Sequence, residues 1–245
     1  MLTVVATLGG LATSAGAGQA SAVRSCAPKP GTVARDHRDR MWHQGTVLRG
    51  CSGGEAFRIG AWHAGDAARL ADGTAIWTTR SPRSGGGVDR VSAFDLESPG
   101  GKRSRWLDHV AAVPRTATTS RRSDRVVALA GTYRVAAWVT AGGRVVLAVP
   151  GHDEDAPTVE PATGETDKDP AMKLRPDGDT VLAATVPAAD AAAVGRGLAI
   201  DVPFGDGDEC AVGQIVSLIV PATATTPARR ISWTRVIYRD DDPGC

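Results

Sequence analysis

Apolar residues in this chain come in short runs cut off by Gly, Pro or Asp, and they almost never recur at the three- and four-residue spacing of an amphipathic helix. Arg144-Val145-Val146-Leu147-Ala148-Val149, bounded by Gly142-Gly143 and Pro150-Gly151, is typical. Val91-Ser92-Ala93-Phe94-Asp95-Leu96 and the stretch from Ala228 to Tyr238 alternate apolar with polar positions, as half-buried strands do. Gly45 to Cys51 predicts a further short strand. Helix signals are scarce: Ala188 to Val194 is alanine-rich but short, and Glu55 to Leu70 is interrupted by Gly60 and Gly65. From Gly151 to Asp169 the chain is rich in Pro, Thr, Asp and Glu with no periodicity, which predicts an exposed loop over 151–169. The pattern is that of an all-β protein built from hairpins.

Three phrases suggest repetition. Arg69-Leu70-Ala71-Asp72-Gly73-Thr74-Ala75-Ile76-Trp77, Arg122-Ser123-Asp124-Arg125-Val126-Val127-Ala128-Leu129 and Leu174-Arg175-Pro176-Asp177-Gly178-Asp179-Thr180-Val181-Leu182 each read as a tight turn followed by an apolar strand. Their aspartates lie 52 (124 − 72) and 53 (177 − 124) residues apart. A second apolar segment comes after each phrase: Val91–Leu96, Val135–Val139 and Leu198–Val202, with Asp95 and Asp201 at matching places in the first and last. One more period ends near Arg230, so about four units are expected. The Pro-Asp-Gly turn with its apolar strand, in Arg175–Ala184 and again in Leu70–Thr79, resembles the blades of TolB-type and WD40-like β-propellers over about residues 60–240. That resemblance implies a propeller-like stack of antiparallel sheets over residues 23–245; the alternative is a β-sandwich. It specifies a hairpin corner and carries no ligand information.

Composition adds an address. The first 22 residues carry no charge, are apolar from Met1 to Leu11 and end in Ala20-Ser21-Ala22, which predicts a signal peptide over 1–22, cleaved after Ala22, and a secreted product. Cys26 follows Val23-Arg24-Ser25, which lacks the small residues of a lipid-attachment site, so no stable membrane anchor is expected. Four cysteines remain, Cys26, Cys51, Cys210 and Cys245, and in an exported chain an even count implies bridges. Cys26 with Cys51 and Cys210 with Cys245 would each close a local loop; Cys26 with Cys245 is the alternative. No pair has metal-ligand spacing, and no metal or cofactor is expected. Charge is uneven: residues 23–150 hold 20 Lys/Arg against 10 Asp/Glu, and 151–245 hold 8 against 17. The basic half has no aromatic-interleaved patch, which argues against nucleic acid as a partner.

Candidate chemistry is sparse. Gly50-Cys51-Ser52-Gly53-Gly54 fits the Gly-x-Ser-x-Gly pattern, but a nucleophile elbow needs a strand, a strained turn and a helix on a parallel sheet, and the segments downstream do not supply them. Acidic clusters at 152–155, 206–209 and 240–242 lack the ligand order of a calcium loop. Trp42-His43 and Trp62-His63, 20 residues apart, pair a flat apolar ring with a directional polar group, a combination that suits a carbohydrate. Tryptophan at such positions also serves as core. The reading is a secreted, non-catalytic binding module for a protein or carbohydrate ligand, with Trp42, His43, Trp62 and His63 as ligand-binding candidates. The alternative is a secreted hydrolase of polysaccharides or esters using Asp95 and Asp201, or Ser52.

Overall fold

The computed structural model describes residues 26–80, 89–96, 104–112, 125–132, 135–148, 180–202 and 211–238. The predicted signal peptide, the 151–169 loop, Cys210, Cys245 and the three acidic clusters lie outside these residues. Four antiparallel sheets succeed one another along the chain. Sheet one holds β1 (Thr32–Asp36), β2 (Asp39–Gln44), β3 (Val47–Ser52) and β4 (Glu55–Ala61). Sheet two holds β5 (Ala68–Ala71), β6 (Thr74–Thr79), β7 (Arg90–Asp95) and β8 (Ser104–Ala111). Sheet three holds β9 (Val126–Thr132), β10 (Val135–Thr140), β11 (Arg144–Ala148) and β12 (Val181–Thr185). A 3-10 turn, Ala188–Asp190, and α1 (Ala191–Gly197) lead to sheet four, with β13 (Ala199–Asp201), β14 (Ala211–Val220) and β15 (Arg229–Tyr238).

Within each sheet, strands adjacent in sequence are adjacent in space. Local turn chemistry accounts for this. Asp72 and Gly73, at φ 46° and 70°, form the left-handed pair that suits a two-residue hairpin, and Gly53-Gly54 at 59° and 81° does the same between β3 and β4. The Gly-x-Ser-x-Gly match is therefore a hairpin corner: Ser52 ends a strand and is buried, and the next element is β4, not a helix.

The sheets stack through their faces. In β6, Thr74 to Thr78 are all buried, and in β10 every residue is. Successive side chains point to opposite faces, so a strand buried throughout must have a core on each side. Ala75 and Trp77 join Met41, Leu48 and Ile59 of sheet one, whereas Ile76 joins Ala136, Trp138 and Val146 of sheet three. The other face of sheet three, Ala137, Val139, Val145 and Leu147, packs with Val194 of α1 and Val216, Leu218 and Val220 of sheet four. Each fully buried aliphatic or aromatic side chain contributes about 1.5–3 kcal/mol. A net hydrogen bond contributes about 0.5–1.5 kcal/mol, so these layers dominate the energetics.

Polar clasps then fix how the sheets sit. β1 touches β5, β5 touches β9, and β9 touches β13, so the first strands are neighbours in succession. Where these strands end, Asp36 Oδ2 accepts the Asp72 N–H at 2.7 Å, and Asp72 Oδ2 accepts the Thr132 hydroxyl at 2.7 Å. The Trp138 indole donates to Ala112 O at 2.7 Å, and Arg105 Nη2 to Ile59 O at 2.7 Å. Before sheet four, Asp190 Oδ2 accepts the hydroxyls of Thr223, Thr225 and Thr226, which holds the β14–β15 connection against the start of α1. Those hydroxyls, Thr223 foremost, lower the Asp190 pKa.

The sheets correct the expected repeat. Asp72-Gly73 lies between the first and second strands of sheet two; the phrase around Asp124 leads into β9, first of its sheet; the phrase around Asp177 leads toward β12, the fourth strand of sheet three. The near-equal spacing thus does not mark equivalent places in successive sheets, whose first strands start at unequal intervals (Thr32, Ala68, Val126, Ala199). Asp95 and Asp201 are not equivalent either: one ends the third strand of sheet two, the other the first strand of sheet four. The all-β class, the short helix near 188–194 and the Cys26–Cys51 bridge agree with expectation.

Two substitutions test this packing. A Cβ at Gly60 of β4 would lie 2.6 Å from the Trp77 ring, which is fully buried and has no room to yield. Gly60→Ala is expected to lower stability by about 1–3 kcal/mol in chemical denaturation, and an unchanged midpoint would contradict the contact. The Cys26–Cys51 bridge closes a 25-residue separation, so replacing both cysteines with serine should cost roughly 3 kcal/mol, read the same way.

Candidate functional site

The end of the stack where the first strands begin gathers the notable polar and aromatic groups. The β2–β3 hairpin, the 62–67 connection, Arg80 after β6, Asp89 before β7 and the start of β9 all lie there, because each antiparallel partner returns to the same end. His43 is the penultimate residue of β2, and Trp62 comes directly after β4. Their rings stack with centroids 5.8 Å apart and planes within 14°. The two Trp-His pairs therefore meet crosswise, the His of the first on the Trp of the second.

Backbone contacts pin this stack. The His43 N–H donates to Gly31 O at 3.0 Å, and the Trp62 N–H to Thr46 O at 2.8 Å. Gly31 has φ 72°, and a Cβ there would lie 2.7 Å from His43 O and 3.3 Å from its ring, so glycine lets the chain pass beside the imidazole. His43 Nδ1 is 3.3 Å from Gly45 O. A carbonyl only accepts, so the proton of the neutral ring sits on Nδ1, and Nε2 is left as an acceptor. His43 and Trp62 are half-buried, and His63 is exposed.

The same end holds two carboxylates that sequence reasoning missed. Asp66 accepts the His63 N–H at 2.7 Å through Oδ2 and the Arg80 N–H at 3.0 Å through Oδ1, so both oxygens serve to brace the connection. The His63 ring Nδ1 is 3.6 Å from the same Oδ2, an ion pair whenever the imidazole is protonated. Asp89 is buried at the start of β7, and its Oδ2 accepts the Val126 N–H at 2.9 Å, which ties sheet two to sheet three. Burial raises the Asp89 pKa; the Val126 N–H, Arg80 and Arg125 oppose that rise, and Asp66 adds to it. Asp66 and Asp89 carry no motif that a sequence could betray, since each is a single acid outside the recurring phrases.

The candidates divide. His43, Trp62 and His63 share this end. Trp42, on the opposite pleat from Met41, packs instead with the Cys26–Cys51 bridge in a buried cluster. Asp95 is buried at the far end of β7, and Asp201 pairs with Arg230 Nη2 at 2.7 Å in sheet four. Among the described residues, no three His, Cys, Asp or Glu side chains converge to hold a metal, and no helix is long and apolar enough to cross a membrane. Comparison of the chain with protein-family models, with curated proteins and with solved structures returns no match.

Because the folded-state pKa of Asp89 lies above its unfolded value, its buried charge weakens the fold at neutral pH. That penalty fades as pH falls through the raised value. Asp89→Ala should lower stability by about 1–3 kcal/mol, since it strands the Val126 N–H. Asp89→Asn, which keeps an acceptor without the charge, should cost less and flatten the acid side of the stability profile. Denaturation midpoints across a pH series check both; an Asn variant as damaged as the Ala variant would refute this role.

Proposed function

We propose that this protein is an exported binding module whose four sheets act as propeller-like blades, and that the His43–Trp62 corner receives a carbohydrate ring. The observation that carries the reading is the crosswise stack. A partly exposed indole, backed by an imidazole and bordered by His63, offers an apolar plane with directional polar contacts beside it, which is the combination a sugar face requires. The corner sits on backbone held by Gly31, Thr46 and the Asp66 brace, so little order is lost on binding. The propeller-like arrangement draws support from sequential meanders with successive contact of their first strands. Export draws support from the disulfide and from the uncharged, apolar N-terminal sequence.

Catalysis receives no comparable support. Ser52 is buried at a hairpin corner, Asp66 has both oxygens committed to backbone donors, and Asp201 is neutralised by Arg230. Titration of the protein with a panel of neutral oligosaccharides is the test. Trp62→Ala and His43→Ala should each weaken binding at least about tenfold, equivalent to about 1.4 kcal/mol, in protein that is still folded at the assay temperature, Trp62→Ala with some loss of stability because the indole also packs against the core shared by sheets one and two. Trp42→Ala should lower stability without that loss of binding. Absence of any oligosaccharide binding, or binding indifferent to Trp62→Ala, would overturn the proposal.

A further inference from the structure

The outer face of sheet one carries an arrangement that folding alone does not explain. Register sets Arg35 directly opposite Arg40, and Arg49 directly opposite Arg58. Met41, Leu48 and Phe57 point into the core shared with sheet two, so the alternating positions Arg40, Trp42, Arg49, Cys51 and Arg58 share the other face. Like charges directly opposite on a sheet are destabilising, and here two such pairs stand side by side. Asp36, Asp39 and Glu55, the acids of these strands, fall on the other pleat positions, so no described carboxylate of sheet one interleaves with the arginines. Arg35 and Arg58 are exposed, and Arg40 and Arg49 half-buried. Arg40 Nε donates to Cys26 O at 2.8 Å, which fixes its stem, whereas Arg49 Nε is buried with no hydrogen-bond partner.

We propose that this arginine face is a docking surface for an acidic polysaccharide, a site separate from the His43–Trp62 corner. A guanidinium presents a planar fork that matches a carboxylate with two parallel hydrogen bonds, and a linear polymer of repeating anions can offset both like-charge pairs at once. A protein partner would need a buried apolar or aromatic anchor. The face offers none, because its one aromatic, Trp42, is covered, and the large apolar side chain exposed among the described residues is Val127 in β9. Single-stranded nucleic acid would need an exposed aromatic platform, which this face lacks for the same reason.

The test uses the full-length protein, with polygalacturonate as probe and neutral dextran, polyglutamate and duplex DNA as comparisons, at low and physiological salt. Wild type should bind polygalacturonate in a salt-sensitive manner and ignore dextran. Arg49→Gln with Arg58→Gln should weaken that binding at least about tenfold while leaving the free protein as stable as wild type or more so, because a repulsive pair is gone. Trp62→Ala should leave polygalacturonate binding intact, which separates this surface from the neutral-sugar corner. No binding to polygalacturonate, equal binding by the double variant, loss of binding in Trp62→Ala, or a preference for polyglutamate or DNA would each overturn the proposal.

Discussion

The burial of β6 and β10 on both faces is the constraint on which the rest of the structure depends. A strand whose consecutive residues are all buried must be shielded from water on either side, so sheets two and three must each lie between two others. Neighbouring side chains in β6 then serve different cores, Trp77 toward sheet one and Ile76 toward sheet three. Close approach is the consequence. Gly60 lies under the Trp77 ring, and a Cβ at Gly131 of β9 would run into Ile76 Cδ1, so each glycine marks where one sheet presses against the next. The hydrogen bonds through Asp72, Asp89 and Trp138 fix a contact that apolar burial has already made favourable.

This layering decides where function can reside. Faces between sheets are closed to ligands, which leaves the ends of the stack and its outer surfaces. At the end where the first strands begin, Asp66 and Asp89 use their oxygens to hold backbone, and backbone hydrogen bonds to Gly31 and Thr46 keep His43 and Trp62 in place. On the outer face of sheet one the disulfide and Trp42 form a small second core. That core supports an arginine-bearing surface instead of an apolar one, which gives the sheet opposite characters on its two sides.

Strands are legible in the sequence where apolar and polar positions alternate, as in β7 and β15, or where an apolar run is bounded by turn residues, as in β11. β1 and β2 are not, because Thr32–Asp36 and Asp39–Gln44 belong to a one-sided sheet and carry Arg and Asp where a buried strand would carry Val or Ile. The expected period fails for a related reason: Asp-Gly is the chemistry of a two-residue turn, and any hairpin can use it regardless of its place in a sheet. Half of the site is visible in the doubled Trp-His pair. Its crosswise pairing is not, since it depends on β2 and β4 finishing at the same end of sheet one, on either side of β3. The burial of Trp42 depends on which pleat it occupies, and a slip of one residue would exchange it with Met41.

Amide hydrogen exchange measured strand by strand tests the two-sided stack most directly. The amides of β6 and β10 should exchange most slowly, near the limit set by global unfolding, with those of β1 and β4 faster because sheet one has a single large core. Exchange in β6 or β10 as rapid as in β1 would mean that these strands are open to water on one side, and would contradict the layered arrangement.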